Sequence, residues 1–466
     1  MTLRRLSHAL PLLACACLAG AARAGLSLSA ALVCDPAGAP AATTPCDIAG
    51  PPSSAGLTVA AGATESTFAA PPRERVPQVV ADEFGGLSGL RMQSRPFLHR
   101  RWRWQVGLTV RDGQLPALDF EGSAIVRTLG GGDGPGSGEG SSTSELYASV
   151  QRRHWGPGRG GSLILDGAAP AVPAVGWRSA VGASRDPWLA WLGPWGADVF
   201  FGRLQGHREP ARPYFIGMRA LLAPAPGLEI GLARTMQWGG RGRNEGLHSL
   251  ANSLLGNDNV GFDGITAQNE PGNQLAGFDA RLLVDDATAT AAYLQVVGED
   301  EAGHLPSRNM LLAGLETRWP AAGRTVRFFL EWADTLAGRV SHDPRPMAAY
   351  RHSVYRQGYT QQRLPLGHPA GGDVKLLTAG WHYGGAAVRG ALTASAGRAE
   401  PTAQFFAPGR ILGLNASLAW SLGAPRPFPA ADDRPAAAQV GFTAGWWSDR
   451  SERRRALQLW WRGGAW

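Results

Sequence analysis

The chain is poor in cysteine, in lysine and in long apolar runs. Its 466 residues hold four cysteines, Cys15, Cys17, Cys34 and Cys46. Lys375 is the one lysine among 45 basic side chains; the rest are arginine, which reads as compositional bias alongside the heavy Ala and Gly load. The arginines are scattered and form no basic runs interleaved with aromatics, which argues against a nucleic-acid surface. Beyond residue 24 no uncharged apolar stretch reaches about 18 residues, the minimum for a membrane helix. The nearest, 48–64, is interrupted by Pro51, Pro52 and several glycines. Also missing are a G-x-S-x-G elbow, an H-E-x-x-H pair and a phosphate-cradling glycine loop with its lysine. Hydrolase, zinc-peptidase and nucleotide chemistry thus lack their usual signatures, and neither a cofactor nor a metal is expected.

The N-terminus points to export. Arg4 and Arg5 precede the apolar run "LPLLACACLAGAA" (10–22), which ends in Ala22-Arg23-Ala24. A basic start, a short apolar core and an A-x-A end make a secretory signal over residues 1–24. A rival cut before Cys15, giving a lipidated N-terminus, would leave a very short apolar core and a Leu at an unusual position. Cleavage after Ala24 leaves 442 residues and, with three arginines and no acid lost, lowers the formal net charge from +8 to +5. Cys34 and Cys46, twelve apart in an exported chain, read as one disulfide closing a small loop. With export and without membrane helices, two classes stay open: a soluble periplasmic protein or an outer-membrane β-barrel.

Residues 25–90 are rich in Ala, Gly, Ser, Thr and Pro and read as a low-complexity, loosely ordered segment. A different pattern starts at Arg101. In "RWRWQVGLTVR", Trp102, Trp104, Val106, Leu108 and Val110 alternate with polar residues and Gly107, giving a strand with one oily and one polar face. The alternation recurs at Leu228, Ile230 and Leu232; at Val326, Phe328, Leu330 and Trp332; at Leu414 to Leu422; and at Val440 to Trp446. Between such segments lie surface-loop stretches such as "LGGGDGPGSGEGSS" (129–142). Many of the 17 tryptophans fall at segment edges, where a membrane barrel carries its aromatic girdles. The expected fold is all-β: a transmembrane antiparallel barrel over 91–466. The terminal Trp466 fits the closing strand of such a barrel, although Gly464 and Arg462 stand where apolar side chains are expected.

Several longer motifs occur in fixed order. They include "HWGPGRGGSLILDGAAPAVPAVGWRS" (154–179), "WLGPWGADVFFGRL" (191–204), "RTMQWGGRGR" (234–243), "LHSLANSLLGNDN" (247–259), "NEPGNQLAGFDAR" (269–281), "GEDEAGHLPSR" (298–308), "FFLEWADT" (328–335) and "VYRQGYTQQRLPLGHPAGGDVKLL" (354–377). Over roughly 147–422 the chain resembles the capsule assembly Wzi family. The resemblance implies an outer-membrane barrel of about eighteen strands, inside the range such barrels take, with its lumen largely filled by protein. It also implies a lectin that attaches or organises capsular polysaccharide at the cell surface. The partners that follow are capsular or other surface polysaccharide, outer-membrane lipid and lipopolysaccharide, and the barrel-assembly machinery during biogenesis. One departure stands out: family members usually carry a helical N-terminal segment, whereas 25–90 shows only "VPQVVADEFGGL" (76–87) as a helical remnant.

The polar knot "QNEPGNQLAGFD" (268–279) and the apolar helix before it raise the question of placement. Non-strand backbone at membrane depth must be buried in protein or line a watery cavity. The block 238–275 is therefore expected as the lumen plug. Trp238, Glu270, Asn273, Gln274, Asp279, Glu299, Asp300, Glu301 and Arg308 are expected as structural lumen residues, their acids in a salt network with Arg241, Arg243, Arg281 and Arg308. Glu299 to Glu301 are adjacent, and neighbours on a strand point to opposite faces, which argues against a catalytic carboxylate pair. "NDNVGFDG" (257–264) is a weak calcium option without a full ligand pattern. Arginine forks suit acidic sugars and aromatic rings their C–H faces, making Arg241, Arg243, Tyr355, Tyr359 and His368 the polysaccharide-binding candidates. The alternatives are a diffusion porin, opposed by the plug, and an outer-membrane hydrolase, opposed by the absent nucleophile motif.

Overall fold

A computed structural model describes residues 27–29, 56–65, 87–93, 102–111, 117–120, 123–130, 143–181, 190–255, 264–266, 270–285, 289–302, 305–321, 324–339, 342–384, 388–422, 438–451 and 453–462. The signal segment and the cysteine pair lie outside them. Twenty strands form one sheet, two of them three-residue pieces, Ser27–Ser29 and Ala117–Asp119. From Thr143–Val150 onward each strand of this sheet pairs antiparallel with the next along the chain. Arg453–Arg462 pairs with Ala438–Ser448 on one side and Gly56–Glu65 on the other. Gly56–Glu65 pairs in turn with Leu87–Gln93, and that strand with Trp102–Arg111. This is the antiparallel meander of a membrane β-barrel. The 25–90 segment, expected to stand apart, contributes strands to the wall. In "GLTVAAGATE" the alternating residues are small, so oily and polar faces contrast too little to read.

The burial pattern along the wall shows two faces. On Arg324–Asp334, Phe328 and Leu330 are exposed while Phe329, Glu331 and Ala333 are buried. On Trp195–Arg203, Val199 and Phe201 are exposed while Asp198 and Phe200 are buried. The exposed row continues through Leu232, Phe278, Leu315, Trp381, Leu392, Leu414 and Trp420. An apolar outside over a partly polar inside is the arrangement lipid requires. Among the described residues no helix is long and apolar enough to cross a membrane.

The apolar core therefore lies in the lumen, built by two long connections. Segment 151–173 brings Trp155, Leu163, Ile164 and Leu165; segment 335–373 brings Tyr350, Tyr359, Leu364 and Leu366. They pack on Phe200, Phe215, Leu275, Met310 and Leu312 of the wall. Each fully buried aliphatic or Phe side chain contributes roughly 1.5–3 kcal/mol before entropy is counted. The wall makes room for them with glycine: a Cβ at Gly217 would lie 2.2 Å from the Phe200 ring and 2.7 Å from the Trp155 ring.

The plug expected at 238–275 is thus replaced by 151–173 and 335–373. Residues 228–238 and 272–285 are adjacent wall strands, and the helix Leu247–Leu254 between them leaves Leu247 83% exposed. The knot's second half, from Gly272, is strand because Asn273, Leu275 and Asp279 alternate inward against Gln237, Thr235 and Gly231.

Candidate functional site

Polar side chains fix the two lumen segments to the wall. Gln295 accepts from the Leu163 N–H at 2.7 Å and donates to the Trp155 carbonyl at 2.9 Å. The Tyr359 hydroxyl donates to the Ile164 carbonyl at 2.7 Å and lies 2.7 Å from Thr235 Oγ1. The Tyr350 hydroxyl donates to the Leu163 carbonyl at 2.6 Å. Glu331 receives the Arg159 N–H at 2.7 Å and the Tyr293 hydroxyl at 3.0 Å. Glu316 sits between Arg159 (2.6 Å) and Arg281 (2.8 Å), and Arg219 grips Asp279 through two 3.0 Å bonds. Buried charges held this way are expensive to uncouple and fix the register of loop on wall. Two of the residues expected in a lumen salt network have other partners than those expected: Asp279 pairs with Arg219, and Arg281 with Glu316.

Three loops at one end of the meander are knitted above this lumen. Connections 204–213, 239–271 and 335–373 all leave that end, while the opposite end carries the short turns 226–227, 286–289, 322–323 and 385–387 beside the longer connections 131–142, 182–194 and 423–437. Arg208 donates to the Thr360 carbonyl at 2.7 Å and the Gly358 carbonyl at 2.8 Å. The Arg356 N–H reaches the Glu209 carbonyl at 3.0 Å, and the Arg241 N–H the Ala211 carbonyl at 2.8 Å. The Tyr355 hydroxyl donates to the Pro271 carbonyl at 2.9 Å, and Glu270 pairs with His352 at 3.1 Å. On top of this clasp stand Arg212, Arg241, Arg356, Arg363 and His207, all exposed, with the exposed Glu209 carboxylate 3.7 Å from Arg356. The arrangement is a cationic rim over a filled lumen.

The five binding candidates divide accordingly. Arg241 is exposed on the rim, and Arg243 beside it is half-buried with its guanidinium on the Glu270 carbonyl. Tyr355, Tyr359 and His368 are buried beneath. A ring with no free face cannot stack on a sugar, so these three are corrected to supports of the rim and plug. His368 is neutral: burial holds its imidazole down at about 4, and its Nδ1 accepts the Ala370 N–H at 3.2 Å. Burial also lowers the Arg208 guanidinium to about 10, which leaves it charged at neutral pH.

The structural candidates scatter. Asn273 points inward, its amide donating to Gln237 at 2.8 Å, and Asp279 is a lumen residue. Glu299 accepts the Tyr350 N–H, tying the wall to the plug. Trp238 and Gln274 lie on the outward face, because the register alternates them with inward Gln237 and Asn273. Arg308 is exposed at a left-handed φ of 50°. Asp300 and Glu301 lie in the strand Thr290–Ala302 opposite Ser307 and Pro306. The sequence reading missed Arg159, Glu316, Glu331, Arg208 and Arg212. The "HWGPGRGG" motif contains Arg159, but no spacing rule links it to carboxylates more than 150 residues away.

Comparison with known proteins adds a decisive observation. The family model described as capsule assembly protein Wzi matches residues 142–384, just over half the chain. The chain belongs to this family. A relative described as an uncharacterized 55.8 kDa protein in the cps region of Klebsiella pneumoniae is 38% identical over 184 residues, 39% of this chain and 36% of that protein. The match thus spans about a third of the relative's length. The solved structure of Wzi, described as an outer membrane protein involved in group 1 capsule assembly in Escherichia coli and a carbohydrate-binding β-barrel, superposes with a TM-score of 0.67 at 22% identity. It covers 88% of this chain and 84% of that one. At that identity the likeness shows the fold, and the Wzi-family match includes both lumen segments and all three rim loops.

Proposed function

We propose that this Wzi-family chain is an outer-membrane, non-enzymatic lectin that attaches or organises capsular polysaccharide at the cell surface. Long loops of outer-membrane barrels face the exterior and short turns the periplasm, which turns the cationic rim outward. The observation that carries the reading is this rim: Arg212, Arg241 and Arg356 held side by side above a filled lumen by main-chain clasps. Guanidinium forks match carboxylates of an acidic glycan, and many weak contacts along a repeating polymer add up through effective concentration. The solved Wzi structure, described as a carbohydrate-binding barrel involved in capsule assembly, supports the same class of ligand. The lumen carboxylates Glu316, Glu331 and Asp279 are occupied by arginine, tyrosine or main-chain donors, an arrangement that holds structure together and leaves little for acid–base chemistry.

The test is co-sedimentation of purified protein with capsule from the host strain. Arg212→Ala/Arg241→Ala/Arg356→Ala is expected to lose most binding, and Arg241→Ala/Arg243→Ala part of it, in barrels that still show heat-modifiable migration. Absence of wild-type binding to any host surface glycan would end the lectin reading. Binding unaffected by the triple substitution would move the site away from the rim.

A further inference from the structure

The helix Leu247–Leu254 is built the wrong way round for a water-facing helix. Its Ser249 and Ser253 are buried against the protein, while Leu247, Ala251, Leu254 and Leu255 are exposed, the leucines at 83%, 37% and 65%. Those four positions follow the i, i+4, i+7, i+8 spacing of one helix face, with the exposed His248 at its edge. A surface helix in water buries that face and exposes its serines; this one does the reverse.

The strand register shows where the helix sits. Thr235 and Gln237 point inward, to Tyr359 and the Gly358 carbonyl, so Arg234, Met236 and Trp238 point outward. The outward set includes Gln274, across from Met236, and Ile216, across from Met236 on the other side. The helix docks on this set. Ser249 Oγ accepts from the Trp238 indole at 3.2 Å, and Leu250 packs on Ile216, Met236 and Trp238. Arg234 donates to the Leu254 carbonyl at 2.9 Å and the Ser253 carbonyl at 3.0 Å, and the Gln274 amide reaches the Ser253 carbonyl at 2.9 Å. These bonds satisfy orphan carbonyls at the helix end and place a cation at its negative pole. Serine and arginine therefore fasten the helix to the outer wall.

An aromatic row marks the level. Phe201, Tyr214 and Trp238 stack across three strands with centroids 4.7 and 5.4 Å apart, and Arg203 lies 4.8 Å over the Tyr214 ring. Aromatic bands with adjacent cations sit at the membrane–water boundary of barrels. Below the row, Leu232 and Phe278, paired across two strands, are 50% and 45% exposed on the apolar wall. The helix's leucine face is continuous with that wall.

We propose that the helix Leu247–Leu254 lies in the acyl boundary of the outer leaflet as an external lipid anchor, holding the rim loop that bears Arg241 at a fixed height above the membrane. The proposal rests on the outer-membrane reading. Its occupant is lipid: the leucine face points away from the protein, and the wall beside it is the lipid-facing wall.

The experiment uses the full chain with its four cysteines changed to serine and one new cysteine labelled with an environment-sensitive dye. The labelled variants are Leu254→Cys and Ala251→Cys on the helix, Leu232→Cys on the wall and Arg241→Cys on the rim. Each is reconstituted into phosphatidylcholine–phosphatidylglycerol vesicles. The helix and wall labels are expected to emit to the blue, to be quenched by nitroxide-bearing lipid and to be shielded from iodide, while the rim label behaves oppositely. Iodide quenching of both helix labels, with the wall label still quenched by lipid, would overturn the anchor and leave the membrane reading intact. Iodide quenching of the wall label as well would overturn both.

Discussion

Two connections leave the same end of the barrel and meet opposite fates. Segment 335–373 folds inward and buries Tyr350, Tyr355, Tyr359, Leu364 and Leu366 in the lumen. Segment 239–271 carries its helix outward and leaves three leucines bare. Both are long, and both mix polar residues with apolar ones. The difference lies in what the wall offers each. Inward-facing Thr235, Gln237 and Glu299 supply hydrogen-bond partners to the Tyr359 hydroxyl, the Gly358 carbonyl and the Tyr350 N–H of that loop. Outward-facing Arg234, Trp238 and Gln274 supply partners to a helix whose serines and terminal carbonyls need them. In a barrel the polar atoms of a loop choose its side, and the apolar ones take whatever solvent is found there.

Excising each segment should separate them most sharply. Replacing 344–371 by a short Gly–Ser linker is expected to turn a silent protein into one with steady, porin-like conductance in planar bilayers. Replacing 247–255 in the same way should leave the bilayer silent. Equal conductance from both would put the lumen filling elsewhere.

Tyr359→Ala comes next, because it removes a fully buried ring together with its bonds to Ile164 and Thr235. A loss of roughly 3–5 kcal/mol is expected from the aromatic truncation, read by urea unfolding in detergent. Tyr359→Phe keeps the ring and should cost about 1–3 kcal/mol for unmatched partners. On the outer wall, Ser249→Ala removes one hydrogen bond and should cost about 1 kcal/mol or less.

The inward segment should also respond to acid. Burial depresses the His368 imidazole to about 4, against about 6.5 in an unfolded chain. On acidification the unfolded chain takes up its proton first, so this contribution is complete above pH ~6.5 and is lost progressively down to about 4. The loss is on the order of 3 kcal/mol. Unfolding measured from pH 7 to 4 should show this slope in wild type and a flatter one in His368→Gln; identical slopes would refute it.

The smallest effect is expected at Glu270. Its partner is His352 at 3.1 Å near the rim rather than a lumen arginine, so Glu270→Gln should cost about 1 kcal/mol or less. A large fall in refolding yield would mean that the clasp depends on this half-buried pair.

The wall was legible in the sequence where contrast was high. Phe328 to Glu331 alternate in burial, the apolar Phe328 and Leu330 outward and Glu331 inward, and the resemblance carried by eight motifs pointed to the right family. The lumen filling was not legible. "GRGGSLILDGAAP" and "VYRQGYTQQRLPLGHP" have no period to read, and the carboxylates that hold Arg159 lie on strands far along the chain. Tyrosines mislead for a related reason: the same ring and hydroxyl serve a sugar surface or a buried joint, and only the neighbours decide which. The knot at 268–279 looked like a plug because polarity was read without register; its inward and outward residues separate only once Trp238↔Gly272 is known.

The clasp beneath the rim has a bearing on how such a surface diversifies. Arg208 holds the carbonyls of Gly358 and Thr360, and main-chain amides of Arg241 and Arg356 hold the carbonyls of Ala211 and Glu209. The joints are made largely to backbone, which every residue type possesses. The Arg212 and Arg241 side chains above them take no part in these joints, so either can be exchanged for a neutral or acidic residue without loosening the loops, whereas Arg356 also pairs with the Glu209 carboxylate at 3.7 Å. A fixed frame of this kind lets the outward chemistry drift one position at a time while the loops keep their places.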